Sequence, residues 1–229
     1  MDFKERTEFI ESKIKEAAKI SGRKSEEITL IAVSKTKPTS DIKKILDIGL
    51  NHIGENYAQE ASQKYEELTP DYPNLNLHFI GHLQSNKAKL IVPIAYLIHS
   101  VDSLSIAKRI NNISQKHEKI ANILLEVNIS KDENKFGSSS DQALFLAEQI
   151  TEKFKNIKIN GIMGMAPFLE NKEETRPYFE NLRLIFEKLP KNQQQYLSMG
   201  MTGDFYEAIL EGSNMVRVGT AIFGSRNYL

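Results

Sequence analysis

The chain has 229 residues, 40% of them hydrophobic, and its 30 Lys+Arg balance 30 Asp+Glu. No net field steers it onto nucleic acid or an anionic membrane, and the absence of cysteine excludes a disulfide framework and a thiolate zinc site. The first residues, Met1 to Arg6, mix charges and have no apolar signal-peptide core. The longest apolar run, Leu90 to Ile98, is broken by Pro93 and too short to span a bilayer, so a cytoplasmic protein is the expectation.

In chain order, residues 2–22 read as a helix, with Phe3, Ile10, Ile14, Ala17 and Ala18 on one face and Gly22 after its end; it is placed to close one end of a following sheet. Ile28 to Val33 is a run of apolar and β-branched residues, the pattern of a strand buried on both faces, and it leaves the sheet at Lys35 before Pro38. Thr39 or Ser40 is expected to cap a helix through Gly49. A short strand over residues 51–56 and a helix over 57–68 come next, then a strand over 77–82, with Ser85 as a candidate cap for a short helix. A fourth strand covers 96–101, and Asp102 or Ser103 opens the helix that carries Leu104, Ala107, Ile110 and Ile113. The fifth strand spans Ile120 to Ile129; Ser139 or Ser140 caps a helix to about Phe154; the sixth strand spans Ile157 to Met165. An amphipathic helix stopped by Pro190, a strand over 196–200, a helix from Asp204 to Glu211 and an eighth strand from Asn214 to Phe223 complete the chain.

Strands that alternate with helices, none adjacent to another, imply parallel strands joined by crossover helices. Eight repeats in this length predict an α/β fold: a single-domain TIM-type (β/α)8 barrel over residues 1–229 with an extra N-terminal helix.

In such a barrel the site lies at the carboxyl ends of the strands. Those ends carry Lys35, Glu55 and Asn56, His82, Gln84 and Asn86, His99 and Ser100, Asn128, Ser198 with Gly200, and Arg217 through Thr220. Loops after strands seven and eight commonly hold a phosphate on backbone amides, and Gly200, Gly203 and Gly219 permit close approach, with Ser198 and Thr220 as hydroxyl donors. An amine at a strand end facing a phosphate site suggests a phosphosugar held as a Schiff base, or pyridoxal 5'-phosphate (PLP). His52, His78, His82, His99 and His117 lack the spacing of a metal site, and no metal ligand is assigned. One of His78 and His82 is expected to face the core or helices and the other the mouth.

The stretches Ala32–Pro38, Gly54–Tyr57, His78–Lys87, Gly161–Met165, Ser198–Met201 and Val216–Gly224 resemble the pyridoxal phosphate homeostasis protein family over nearly the whole chain. The resemblance implies a barrel related to the N-terminal domain of alanine racemase. It implies that Lys35 forms an aldimine with PLP, that Ser198, Gly219 and Thr220 hold the phosphate, that Met199 and Gly200 belong to the cofactor-binding set, that Asn56 and Ile80 line the ring, and that Arg217 faces the pyridine nitrogen. Lys135 matches a family lysine: it is either a second amine near the cofactor or a solvated loop charge beside Asp132 and Glu133.

The implied function is intracellular PLP homeostasis: a non-catalytic carrier with no catalytic residues, monomeric, that buffers PLP or delivers it to apo-enzymes. The alternatives are a PLP-dependent racemase or decarboxylase and a Schiff-base aldolase on a phosphosugar. Against a racemase stand Thr39, where the racemase motif has a tyrosine four residues after its lysine, and a sequence that ends at Leu229 without a C-terminal β-domain. Against an aldolase stands Arg217 in its motif.

Overall fold

The computed structural model describes residues 1–130 and 136–224. Helix α1 (Phe3–Ile20) opens in a capping box, Asp2 accepting from the Glu5 amide while Glu5 accepts from the Asp2 amide. Then follow β1 (Thr29–Val33), α2 (Thr39–Asp47), β2 (His52–Glu55), α3 (Ala58–Leu68), β3 (Asn76–Phe79), α4 (Ala88–Ile91), β4 (Leu97–Val101), α5 (Leu104–Lys116) and β5 (Ala121–Val127). The second half adds α6 (Ser140–Lys153), β6 (Ile157–Gly164), α7 (Arg176–Lys188), β7 (Tyr196–Met201), α8 (Phe205–Leu210), β8 (Met215–Val218) and α9 (Thr220–Phe223).

All eight strands are parallel and pair in chain order, and β1 closes on β8 through Leu30–Val216 and Ile31–Arg217. The expected (β/α)8 barrel is therefore present. Alternation along each strand divides its residues between two layers. Leu77, Phe79, Ile98, Ile123, Leu125, Ile162 and Leu197 pack outward against the helices, and a second outward cluster joins Leu30, Ala32, Val216 and Val218 to α1. A separate inner cluster is small: Ile31, Leu97, Leu124, Met163 and Met215. The rest of the interior is polar, because His78, His99, Ser198 and Arg217 are all buried there.

Several boundaries differ from the sequence expectation. Pro38, rather than Thr39 or Ser40, stands at the N-cap of α2, and its carbonyl accepts from the Asp41 amide; the Thr39 hydroxyl instead donates to Glu67 at 2.6 Å. Lys87, not Ser85, precedes α4. Helix α1 packs against α8 and α9, and its residues Glu8, Glu11 and Lys15 border a hollow at the strand starts. The eighth strand stops at Val218. The apolar residues beyond it turn into α9, where the amides of Ile222 and Phe223 return to the Gly219 carbonyl and the Phe223 ring meets Phe3. A short apolar run satisfies strand and helix patterns alike, and packing against α1 decides it here. Among the described residues, no helix is long and apolar enough to cross a membrane.

The pairing of β5 with β6 slips between Ile123 and Leu124, and Gly161 sits at the slip with φ of +148°. A Cβ there would fall 1.8 Å from the Tyr196 carbonyl oxygen of β7. Gly161→Ala is therefore expected to cost about 3 kcal/mol, from backbone strain and displacement of β7, measured as a lowered urea midpoint. An unchanged midpoint would show that the bulge does not need glycine.

Candidate functional site

Lys35 owes its position to a turn that the local sequence does not favour. The Ser34 amide still bonds across to Gly54, and the Lys37 amide returns to the Ser34 carbonyl at 3.0 Å, closing a turn over residues 34–37. Inside it Thr36 has φ of +64°, an unfavourable left-handed conformation for a β-branched residue. Three ionisable side chains hold that conformation. The Thr36 amide donates to Glu60 at 2.6 Å. Lys64 donates to Glu60, to Glu55 at 2.7 Å and to the Ser34 carbonyl at 2.8 Å, and the Ser34 hydroxyl donates to the same Glu55 carboxylate. Burial raises the Glu55 carboxyl above its ordinary range, with Lys64 pulling the other way. The sequence reading missed Lys64, since nothing local separates it from a solvated helix charge.

Asn56 and Ile80 follow β2 and β3. The Ile80 amide donates to the Glu55 carbonyl, and Gly81 packs so closely on Asn56 that a Cβ would lie 2.2 Å from the Asn56 carbonyl oxygen. Among the described residues, the buried Oδ1 of Asn56 has no hydrogen-bond partner. Across the barrel, the Gly219 amide donates to the Thr202 hydroxyl at 3.2 Å, and Asp204 accepts from the Met201 amide at 2.6 Å. Arg217 reaches into the interior, donating to Ser198 Oγ at 2.6 Å and to the Gly164 carbonyl at 3.2 Å. Burial pulls its guanidinium down to about 10, against Asp204 and Glu126, so it stays charged at neutral pH.

These groups meet at a cavity of about 470 Å³ at the carboxyl ends of the strands. Of the residues expected to form a site, Lys35, Asn56, Ile80, Gly203, Arg217, Gly219 and Thr220 line it, together with Lys37 and Thr202, which the sequence reading did not assign. Met163, Met165, Phe168 and Met201 supply apolar wall. Ser198, Met199 and Gly200 are buried behind it, with Ser198 held between Arg217 and His99. His78 is buried and His82 exposed, its ring stacked on Phe136. Lys135 lies outside the described residues. A larger hollow of about 770 Å³ lies at the opposite end, between α1 and the strand starts. Its charged groups are Glu8, Glu11, Glu26 and Lys15, a balance that disfavours an anion. Among the described residues no cluster of His, Asp and Glu is arranged to hold a metal.

The model of the alanine racemase N-terminal domain family matches residues 8–227. A pyridoxal phosphate homeostasis protein of Aquifex aeolicus is 38% identical over 227 residues, 98% of each chain. The chain belongs to the pyridoxal phosphate homeostasis protein family. The family member of Escherichia coli K12 is 39% identical over 96% of this chain and 94% of its own. Among solved structures, an unknown protein from Bifidobacterium adolescentis superposes with a TM-score of 0.89 at 32% identity, covering 96% of this chain and 94% of its own. PipY of Synechococcus elongatus, solved with PLP bound, superposes with a TM-score of 0.79 at 34% identity, covering 92% of this chain and 100% of its own. Alanine racemase of Clostridium difficile, at 16% identity and a TM-score of 0.72, shares the fold.

Two predictions follow from the charges around the cavity. Lys64→Met leaves the Glu55 carboxylate buried without its cation and is expected to cost about 3–5 kcal/mol in urea unfolding; a loss below about 1 kcal/mol would mean that the turn does not lean on Lys64. Glu126, buried on β5, has its carboxyl raised to about 7, by burial first and then by Asp102, while Arg217 lowers it. The folded state therefore binds the Glu126 proton more tightly than the unfolded chain does. Between about pH 4.5 and 7 this group removes stability as pH rises, by up to about 1.4 kcal/mol per unit. Glu126→Gln is expected to flatten that part of the stability–pH curve, and an unchanged slope would refute the assignment.

Proposed function

We propose that this protein binds PLP in the cavity at the carboxyl ends of the strands, tethers it reversibly on Lys35, and buffers or delivers it to apo-enzymes. The observation that carries the reading is that Lys35, Asn56, Arg217 and the Gly219–Thr220 turn line one cavity. The cavity falls within the roughly 300–1,000 Å³ range of small-molecule sites. The residues fit the group: the buried Oδ1 of Asn56 lacks a donor, as it would where a ligand supplies one. Bound PLP supplies an aldehyde that condenses reversibly with a primary amine.

The chain's own side chains decide how little more than binding follows. The turn over residues 34–37 brings Lys35 to the cavity while the buried Lys64–Glu55 pair bears the structural charge beneath it. Thr202, Gly203, Gly219 and Thr220 line the part of the cavity read as the phosphate end, with the Gly219 amide holding the Thr202 hydroxyl there, and Ser198 stands behind them as a further hydroxyl. Arg217 donates and cannot accept, so it leaves a ring nitrogen opposite it without a proton and gives a carbanion little stabilisation. The Thr39 hydroxyl, at the position of the racemase tyrosine, is spent on Glu67 outside the cavity. This arrangement supports a carrier: among the described residues lining the cavity, the side chains able to act as a base are the neighbouring Lys35 and Lys37 of one turn.

Titration of the purified protein with PLP should produce a new absorbance band that borohydride removes, and Lys35→Ala should abolish it. A band of equal strength in Lys35→Ala would move the tether to another lysine. The loaded protein should also restore activity to an apo PLP enzyme faster than free PLP is released from it, and transfer no faster than release would refute delivery.

A further inference from the structure

The barrel interior contains an unbroken line of hydrogen-bonded side chains whose three histidines the binding reading does not use. His52 Nδ1 lies 2.8 Å from His78 Nε2, His78 Nδ1 lies 2.9 Å from His99 Nε2, and His99 Nδ1 lies 3.2 Å from Ser198 Oγ. Arg217 donates to that same Ser198 oxygen. His78 and His99 are wholly buried, while half-buried His52 lines the 770 Å³ hollow at the far end of the barrel. Through Arg217, which lines the candidate PLP cavity in front of the buried Ser198, the line thus connects that cavity to the opposite end of the barrel.

We propose that His52, His78, His99 and Ser198 form a tautomeric relay that couples ligand binding in the upper cavity to the lower hollow, reversing direction when a bound anion accepts a hydrogen bond from the Ser198 hydroxyl. The inference rests on the PLP-binding reading.

A neutral imidazole has one N–H and one lone pair, so each ring in a line must donate on one side and accept on the other. Two arrangements satisfy every contact. In one, the Ser198 hydroxyl donates to His99 Nδ1, His99 Nε2–H to His78 and His78 Nε2–H to His52, which leaves a proton on His52 Nε2. In the other, His52 Nδ1–H donates to His78, His78 Nδ1–H to His99 and His99 Nδ1–H to Ser198. The Ser198 oxygen then accepts from His99 and from Arg217, and its own proton is available to a ligand oxygen.

Conversion passes one proton along the line. Ser198 gives its proton to His99 Nδ1 and is reprotonated from water in the upper cavity. Each histidine passes its Nε2 proton to the next ring, and His52 releases one to water in the hollow. The protons balance and nothing is oxidised or reduced.

The surroundings favour neutral rings. Burial drives His78 and His99 well below the ordinary histidine range, with Arg217 adding to the shift of His99, and burial also lowers His52. The Tyr96 ring packs against both His52 and His78, and its hydroxyl meets that of Tyr196. Glu126 and Asp204 act on Arg217 at the upper end, and Glu8, Glu11, Glu26 and Lys15 line the hollow at the lower end.

The test is heteronuclear NMR of the full-length protein with labelled histidine side chains, recorded without and with PLP, loading being followed by cofactor absorbance. Loading is expected to move the His52 proton from Nε2 to Nδ1, although His52 lies at the other end of the barrel. An unchanged His52 tautomer in protein whose absorbance shows bound PLP would overturn the relay. If no bound PLP is seen, the binding reading fails instead. His78→Phe interrupts the line, so that variant is expected to bind PLP while His52 stops responding, and a response that survives would overturn the relay as well. Should the variant not fold, the wild-type measurement alone decides.

Discussion

Arg217 carries a positive charge inside the barrel, and the interior is arranged around that fact. A buried charge is tolerated only when it is paired and hydrogen-bonded. Here Ser198 Oγ and the Gly164 carbonyl accept its hydrogen bonds, while Asp204 and Glu126 supply negative potential. Those partners constrain what else fits. An inner layer filled with branched apolar residues would leave the guanidinium without acceptors, so the apolar share of the interior shrinks to Ile31, Leu97, Leu124, Met163 and Met215. The histidines fill the remaining volume as neutral rings, which add polar contacts without adding charge next to the arginine.

Two lysines near the same turn show how position separates chemistry from support. Lys64 is nearly enclosed and bonds to Glu55, Glu60 and the Ser34 carbonyl, so its proton is structural. Lys35 lines the cavity, on a turn those contacts brace. The left-handed Thr36 costs of order 1–3 kcal/mol and persists because the turn, the Glu60 acceptor and the Lys64 network all require it. Strain at the residue after a candidate tether fixes where the amine can go, which a relaxed strand end would not do.

Alternation of strand and helix patterns was enough to reveal the barrel, and the polar strand ends were enough to bring Lys35, Asn56, Arg217, Gly219 and Thr220 to one place, because strand periodicity and barrel closure are local rules applied eight times. What stayed hidden depends on closure itself. His52, His78 and His99 stand 26 and 21 residues apart and meet only because β2, β3 and β4 are neighbours in register. A signal was nonetheless present: each falls on one of three successive short strands, at a position that alternation can turn inward. Lys64 was illegible because its partner Glu55 is buried at the end of β2, and α3 alone looks like a solvated helix. The end of β8 was misread because Ala221, Ile222 and Phe223 suit a strand and a helix equally well until Phe3 is in place.

The proposed carrier role draws on the same interior. Carbanion chemistry on a pyridine ring gains from a proton on the ring nitrogen, which requires an acidic partner beside it. Placing a carboxylic acid at position 217 would remove the donor that Ser198 and Gly164 now accept from, and would set a second acid near Glu126, whose carboxyl is already pushed up to about 7. Like charges in that volume would force one of them to hold a proton. Arginine avoids the conflict and keeps the hydrogen-bonded line intact. The choice that stabilises this interior is thus also the one that would weaken the proposed PLP site as an electron sink, so the interior's need for a buried donor and the proposed carrier role rest on the same side chain.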